Sequence, residues 1–271
     1  MKRLIPGYII QKFAEGKSRG YIEGSVLFVD IKGFTVLTDE LMSKGRSGAE
    51  KVSDLLNEVF DPALNIVFSR GGFIAGFAGD AFTAIFPRDD GHIARNAALE
   101  ISRNMSKSKN DLSASMGIST GRISWYIMDL AEQHIYYFKG KAIDDAVASR
   151  GNLSIKKTDM PAAKGAYDFR EVDYTKDKLR HFISDPILNI ATMGEFREIT
   201  SLFIVFPECS SKKRYELIFS LSSEVVRHGG SLNKVDYSDK GGIGLVIFGA
   251  PIARENDAAH AVKLALKLKE R

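Results

Sequence analysis

Two aspartates stand where an apolar stretch meets a turn that contains glycine. Asp30 follows the apolar run 26–29, and Asp80 follows Gly79 after a second apolar stretch. A carboxylate at the end of a buried strand is costly unless it is paired, hydrogen-bonded or bound to a cation. Either aspartate alone could be a strand-end cap or a turn residue. As a pair beside flexible glycines, they indicate a divalent-metal site next to backbone amides that can bind a phosphate.

Hydrophobic periodicity predicts the elements that position these carboxylates. A strand that ends near Asp30 precedes a long amphipathic helix, which begins at a capping box at 47–50 and ends at a glycine pair at 71–72. The pattern then predicts a hairpin of strands 73–78 and 81–86, a helix over 92–105 and a strand over 113–120. This β-α-β-β-α-β order predicts an α+β fold built on a ferredoxin-like unit.

The same order of patterns returns in the last quarter of the chain. A strand at 196–206, a helix at 215–228, a glycine pair, a strand at 241–251 and a helix at 257–268 follow one another. This predicts four parts, which are an N-terminal segment (1–22), a first domain (23–155), a subdomain excursion and linker (156–195) and a truncated second domain (196–271).

Composition narrows the class of protein. Of the 271 residues, 44% are hydrophobic and 27% charged, which is typical of a globular protein. The net charge of +4 comes from scattered lysines and arginines, so we predict no nucleic-acid partner. The single cysteine, Cys209, excludes an intrachain disulfide. The apolar run within 1–22 is too short for a signal peptide or a membrane span, and we expect a cytoplasmic protein with no membrane contact in this segment.

Four motifs follow one another in the chain: LFVDIKGFT (27–35), FAGDA (77–81), GISTGRIS (117–124) and FKGKAIDDAVASR (138–150). Together they resemble the class III nucleotidyl cyclases. The similarity is greatest to the soluble, bicarbonate-type adenylyl cyclases, which fuse two unequal cyclase domains. The resemblance implies ATP as substrate and two Mg²⁺ or Mn²⁺ ions as cofactors.

The resemblance also implies roles for particular residues. Asp30 and Asp80 would be the catalytic residues that hold the two ions, with the backbone carbonyl of Ile31 completing the coordination. Backbone amides of the turn that contains Gly33, Phe34 and Thr35 would bind the β- and γ-phosphates near the start of a short helix. For the Thr35 side chain we expect a helix cap.

In the second copy, Phe206 or a neighbour stands where Asp30 stands in the first, and Lys234 falls where the first copy has Gly76. A solvated strand lysine is one interpretation of Lys234. The resemblance favours another, in which Lys234 donates to a ring nitrogen of adenine. This requires the two copies to pair within the chain, head to tail; further dimerisation stays open.

One family feature is absent. An asparagine and an arginine four residues apart stabilise the transition state in the family, yet the segment 140–148 contains neither, and for Arg150 we expect a loop role. Gly76 and Val147 replace the basic residues of the bicarbonate site, so bicarbonate regulation is not predicted.

The sequence therefore predicts an adenylyl cyclase that converts ATP to cyclic AMP and pyrophosphate, impaired because the second copy stops early. The alternative is a non-catalytic, cyclase-like regulatory or dimerisation module.

Overall fold

The computed structural model describes residues 5–107, 112–130, 133–157, 175–189, 197–238 and 241–270. The elements follow in chain order: α1 Gly7–Ala14, β1 Arg19–Lys32, α2 Phe34–Met42, α3 Arg46–Ser69, β2 Phe73–Ala78, β3 Ala81–Pro87, α4 His92–Met105, β4 Ser113–Asp129, β5 His134–Lys139, α5 Lys141–Ala148, β6 Asn152–Lys157, α6 Lys176–Leu179, α7 Asp185–Asn189, β7 Thr200–Phe206, α8 Ser211–Arg227, β8 Ser231–Ser238, β9 Gly241–Phe248 and α9 Asp257–Lys269.

A six-stranded sheet forms the larger part of the molecule. Its strands lie in the order β2-β3-β1-β4-β5, and β6 pairs in parallel with β4. The strands β1 to β4 are antiparallel to their neighbours and lie in the order 2-3-1-4, which is that of a ferredoxin-like unit. The prediction of an α+β fold is confirmed.

Both faces of this sheet are covered. Side chains of alternating residues point to opposite faces of a strand, so Leu27 and Val29 of β1 pack against α3 and α4, while Val26 and Phe28 pack on the other face. That second face is covered by α1, α5, α6 and α7. The sheet is thus the middle of three layers, and the C-terminal end of β1 lies at its edge, between the two layers of helices.

Several predicted boundaries differ from the structure. The strand β1 begins at Arg19, so the boundary placed between 22 and 23 falls inside a strand, and Ile9 of α1 is fully buried in the core of the first domain. The strand β4 extends to Asp129, beyond the predicted 120. The helix α3 begins at Arg46 after Gly45, so Ser47 does not cap it.

Most of the predicted excursion and linker (156–195) lies outside the described residues. Its described part contains α6 and α7, and Leu179 and Phe182 there are buried against the sheet. No helix in the described ranges is long and apolar enough to cross a bilayer.

A second, three-stranded antiparallel sheet follows in the order β7-β9-β8. Its helices α8 and α9 cover one face, where Ile218, Val225 and Leu264 are buried. The described elements from β7 to α9 repeat the order strand, helix, strand, strand, helix. One buried cluster joins this unit to the far end of β4 and β5 through Met128 and Ile135.

Candidate active site

The two aspartates predicted from the sequence lie on neighbouring strands. Asp30 is paired in register with Ala81, the first residue of β3, so it lies beside the turn that contains Asp80. The backbone N–H of Ile31 donates to the carbonyl oxygen of Asp80, with 3.3 Å between nitrogen and oxygen. The side chain of Asp30 is 29% exposed. The sheet register therefore places both carboxyl groups at one accessible end of β1.

Gly33 turns the chain from β1 into α2. Its φ of +86° is in the left-handed region, which glycine adopts without strain, and α2 begins at the next residue, Phe34. The ring of Phe34 is buried and lies edge-on to Phe60, with 5.8 Å between ring centroids. This packing fixes the N-terminal turn of α2 beside the two aspartates.

Thr35 does not cap α2, contrary to the prediction. The N-cap is Gly33, and the Thr35 hydroxyl instead donates to the Asp80 carboxylate, with Oγ1 and Oδ2 3.1 Å apart. Thr35 thus orients one of the two carboxylates. Sequence reasoning missed this contact because it joins residues 45 positions apart.

Arg150 lies at the same site. Its Nη1 is 3.8 Å from Oδ2 of Asp30, and its side chain is 57% exposed. The interpretation of Arg150 as an ordinary loop residue is incomplete, because the loop brings its guanidinium to Asp30. Spacing within the sequence gave no signal of this, since the loop is positioned by tertiary contact with β4.

The oxygen ligands at the end of β1 fit a hard divalent cation. Two carboxylates and neighbouring backbone carbonyls are oxygen donors, and Mg²⁺ is commonly held by one or two carboxylates together with substrate phosphates. No group of three or more His, Cys, Asp or Glu with metal-binding geometry occurs among the described residues. The donor set thus fits ions shared with a phosphate ligand better than a closed all-protein site.

Lys234 of β8 reaches the hairpin that carries Asp80. Its ammonium donates to the carbonyl oxygen of Phe77, three residues before Asp80, and lies 2.6 Å from Oδ2 of Asp236. The Lys234 side chain is 30% exposed. The simple interpretation of a solvated strand lysine does not describe these contacts, which link the second sheet to the first.

A row of apolar side chains lies beside Lys234 on the uncovered face of the second sheet. The sheet register aligns Lys234 with Leu245 of β9 and Phe203 of β7. Phe203 is 65% exposed, and Val205 on the same face is 73% exposed. Five of the seven residues of β7 are apolar, and which of them share this face follows only from the sheet register.

Curated proteins with similar sequences include adenylate cyclases. Adenylate cyclase type 10 of Oryctolagus cuniculus is 29% identical over 138 residues, which is 46% of this chain and 8% of that protein. The terminal-differentiation specific adenylate cyclase of Dictyostelium discoideum is 32% identical over 108 residues, 36% of this chain and 5% of that protein. The chain is a relative of the class III cyclases. The resemblance predicted from the sequence motifs is thereby confirmed.

This cyclase relative spans less than a tenth of the length of those two proteins. No family model matches it. Among solved structures, a bacterial light-regulated adenylyl cyclase aligns with a TM-score of 0.46 and 22% identity, covering 53% of this chain and 45% of that one. That likeness is too distant to support an argument about the site.

Proposed function

We propose that this chain is an adenylyl cyclase catalytic region that binds a metal–ATP complex at the end of β1 and forms cyclic AMP. The observation that carries the proposal is the adjacency of Asp30 and Asp80, in a chain whose curated relatives include adenylate cyclases. In the reaction, the 3′-oxygen of ATP bonds to the α-phosphorus. The bond from that phosphorus to the bridging oxygen breaks, pyrophosphate leaves and the 3′-hydroxyl proton passes to solvent.

Two Mg²⁺ or Mn²⁺ ions, when bound, would activate the 3′-oxygen and neutralise charge on the phosphates. The residues of the chain hold the reactants for this step. Asp30, Asp80 and the Ile31 carbonyl would supply the oxygen ligands, and Thr35 would keep the Asp80 carboxylate oriented. The N–H groups at the start of α2, a nine-residue helix, would face the β- and γ-phosphates.

Recognition of the purine would come from the second sheet, interpreted as a partial second cyclase copy. Lys234 presents only donors, which suit a ring nitrogen of adenine and do not suit the guanine edge that itself donates. The exposed Phe203 and the partly buried Leu245 beside it would contact the purine plane. The contact of Lys234 with the carbonyl of Phe77 supports this pairing of the two units within the chain, because Phe77 lies three residues before Asp80 in the same hairpin.

The test is incubation of the purified chain with ATP and either Mg²⁺ or Mn²⁺, with cyclic AMP measured by chromatography. We expect divalent-dependent cyclic AMP, slower than in a site with a complete set of transition-state donors, since one such donor is worth about 10²–10³ in rate. Metal-dependent ATP binding without cyclic AMP would favour the regulatory-module alternative. Nucleotide binding that is independent of metal would contradict the proposed site.

A further inference from the structure

A groove lies between α3 and α4, in the layer of helices that covers one face of the first sheet. Its space amounts to about 380 Å³, counted with the open side, and small-molecule sites range over about 300–1,000 Å³. Its apolar walls consist of side chains that are each at most 7% exposed, namely Val59, Ala63, Ile101, Met105 and Leu112. The groove therefore offers an apolar surface to a small ligand.

The rim of the groove carries hydrogen-bond acceptors that lack donors. Glu58 is exposed, and no described residue pairs with its carboxylate. Pro62, inside α3, also lines the groove. Because proline has no N–H, the carbonyl oxygen of Glu58, four residues earlier, lacks the donor that an α-helix normally supplies. Glu58 thus offers two acceptor groups, its carboxylate and its carbonyl.

These acceptors select a ligand that donates hydrogen bonds and carries positive charge. An ammonium group has three N–H donors, and its charge complements the carboxylate. Glu58 is the one charged side chain among the described residues that line the groove. Arg103 and Lys107, which flank the lining residue Asn104 on α4, do not line it themselves. The Asn104 amide supplies a further acceptor oxygen on the opposite wall.

We propose that the groove between α3 and α4 binds a small organic ammonium compound, with the ammonium group at Glu58 and an apolar body against Ile101 and Met105. Neither Asp30 nor Asp80 lines the groove, so the inference does not rest on the proposed cyclase reaction. It gives the first unit a second ligand site, in the layer of helices.

The test compares 2-phenylethylamine with its uncharged counterpart, 2-phenylethanol. The chain is isotopically labelled at the methionine methyl groups, so that nuclear magnetic resonance follows Met105 in the groove wall and Met128 in the cluster that joins the two sheets. The signal that disappears in Met105→Leu is that of Met105. We expect the amine to shift this signal saturably and to leave that of Met128 in place. The alcohol should bind about threefold to fivefold more weakly, which is the upper range for an exposed ion pair.

Glu58→Gln keeps the shape of the side chain and removes its charge. It should weaken the amine by the same factor and leave the affinity for the alcohol unaltered. Asp54→Asn is the matched control, because it removes a charge one turn earlier on α3, outside the groove, and it should change neither affinity.

Four results would each overturn the inference. They are the lack of a saturable shift at Met105, equal affinity for amine and alcohol, an unaltered amine affinity in Glu58→Gln, and an equal loss in Asp54→Asn, which would mean general attraction between charges. None of these results bears on Mn²⁺-dependent ATP binding, which should be unchanged in Glu58→Gln. Conversely, a chain that made no cyclic AMP would contradict the proposed function and leave this site standing.

Discussion

At the scale of single residues, the site depends on carboxylates that are ordered by neighbours and still accessible. Asp80 accepts from Thr35, and Asp30 faces Arg150. Asp30 does not cap α2, because that role belongs to Gly33, and Asp80 precedes a strand. Their removal should therefore affect ligand binding much more than folding.

Asp30→Asn and Asp80→Asn should each abolish Mn²⁺-dependent ATP binding, because an amide replaces the anionic ligand while keeping the shape. Calorimetry with ATP and Mn²⁺ measures this, and the thermal midpoint in metal-free buffer should stay within a few degrees of the original. Asp54→Asn, an exposed change in α3, serves as the control and should leave binding intact. A large loss of metal-free stability would assign the aspartates to turn structure instead.

Lys234→Glu should weaken ATP binding and raise the relative affinity for GTP. The glutamate presents acceptors where the lysine presented donors. Competition between the two nucleotides at fixed Mn²⁺ gives the ratio directly. Lys263→Glu makes the same charge change on an exposed position of α9, and it should leave the ratio unaltered. Equal weakening of both nucleotides by Lys234→Glu would point to a general electrostatic effect rather than recognition of the base.

At the scale of elements, the start of α4 shows how a buried charge is accommodated next to the core. Asp89 is only 3% exposed. Its carboxylate accepts from the N–H groups of Ile93 and Ala94, each at 3.0 Å, and from the hydroxyl of Ser25 at 2.5 Å. These bonds satisfy the first turn of α4 and tie it to β1.

Asp89→Ala should lower the free energy of unfolding by about 2–3 kcal/mol, because three donors lose a charged acceptor within the core. Urea unfolding followed by circular dichroism measures the change. Asp89→Asn keeps one acceptor oxygen and should cost less. The neighbouring Asp90→Ala is the control, since exposed Asp90 accepts only a 3.4 Å bond from the N–H of His92. Similar losses at both positions would contradict the assignment of the helix start to Asp89.

The elements that carry Asp30 and Asp80 could be predicted because their signals are local. The continuous apolar run 26–29 marks β1, and Gly79 marks the turn of the hairpin. The contacts of Thr35 and Arg150 could not be predicted, because they depend on how α2 and the loop after α5 fold back on the sheet. The start of α3 after Gly45 was not predicted, because Ser47 has capping-box spacing and indicated a later start. The alignment of Lys234, Leu245 and Phe203 on one face can be recognised only when the register of the three strands is known.

At the scale of the whole molecule, a buried polar cluster joins the two sheets. Arg214 of α8, only 5% exposed at its side chain, bonds to Glu208 at 2.7 Å and lies over the ring of Tyr237 at 4.8 Å. Tyr237 packs on Tyr137 of β5, with 4.7 Å between centroids, and Lys139 of β5 pairs with Glu208 at 2.5 Å. The hydrogen bond from Lys139 lowers the pKa of Glu208. The second unit is thereby attached to the first through charges as well as apolar surface.

Burial raises the pKa of Tyr137 to about 12, so its phenol stays neutral in the folded chain at pH values where it ionises in the unfolded chain. The stabilisation it gives is complete below pH 10 and is lost as pH rises from 10 through 12, by up to about 2–3 kcal/mol. Tyr137→Phe should reduce this alkaline loss without removing it, because burial also raises the pKa of Tyr136 and of Tyr237. Urea unfolding between pH 9 and 11.5 measures the change. Tyr21→Phe, an exposed change, should leave the slope in place. An unchanged slope in Tyr137→Phe would contradict the burial argument.

The bond from Lys234 to the carbonyl of Phe77 also bears on reaction order. In the proposed site, base recognition and metal binding would lie on two units of one polypeptide, so each unit would meet the other at an effective concentration set by the chain and not by the solution. On this arrangement, nucleotide capture is first order in protein, and its yield per chain is the same in a dilute sample as in a concentrated one. A site assembled from two identical chains would instead weaken with every dilution.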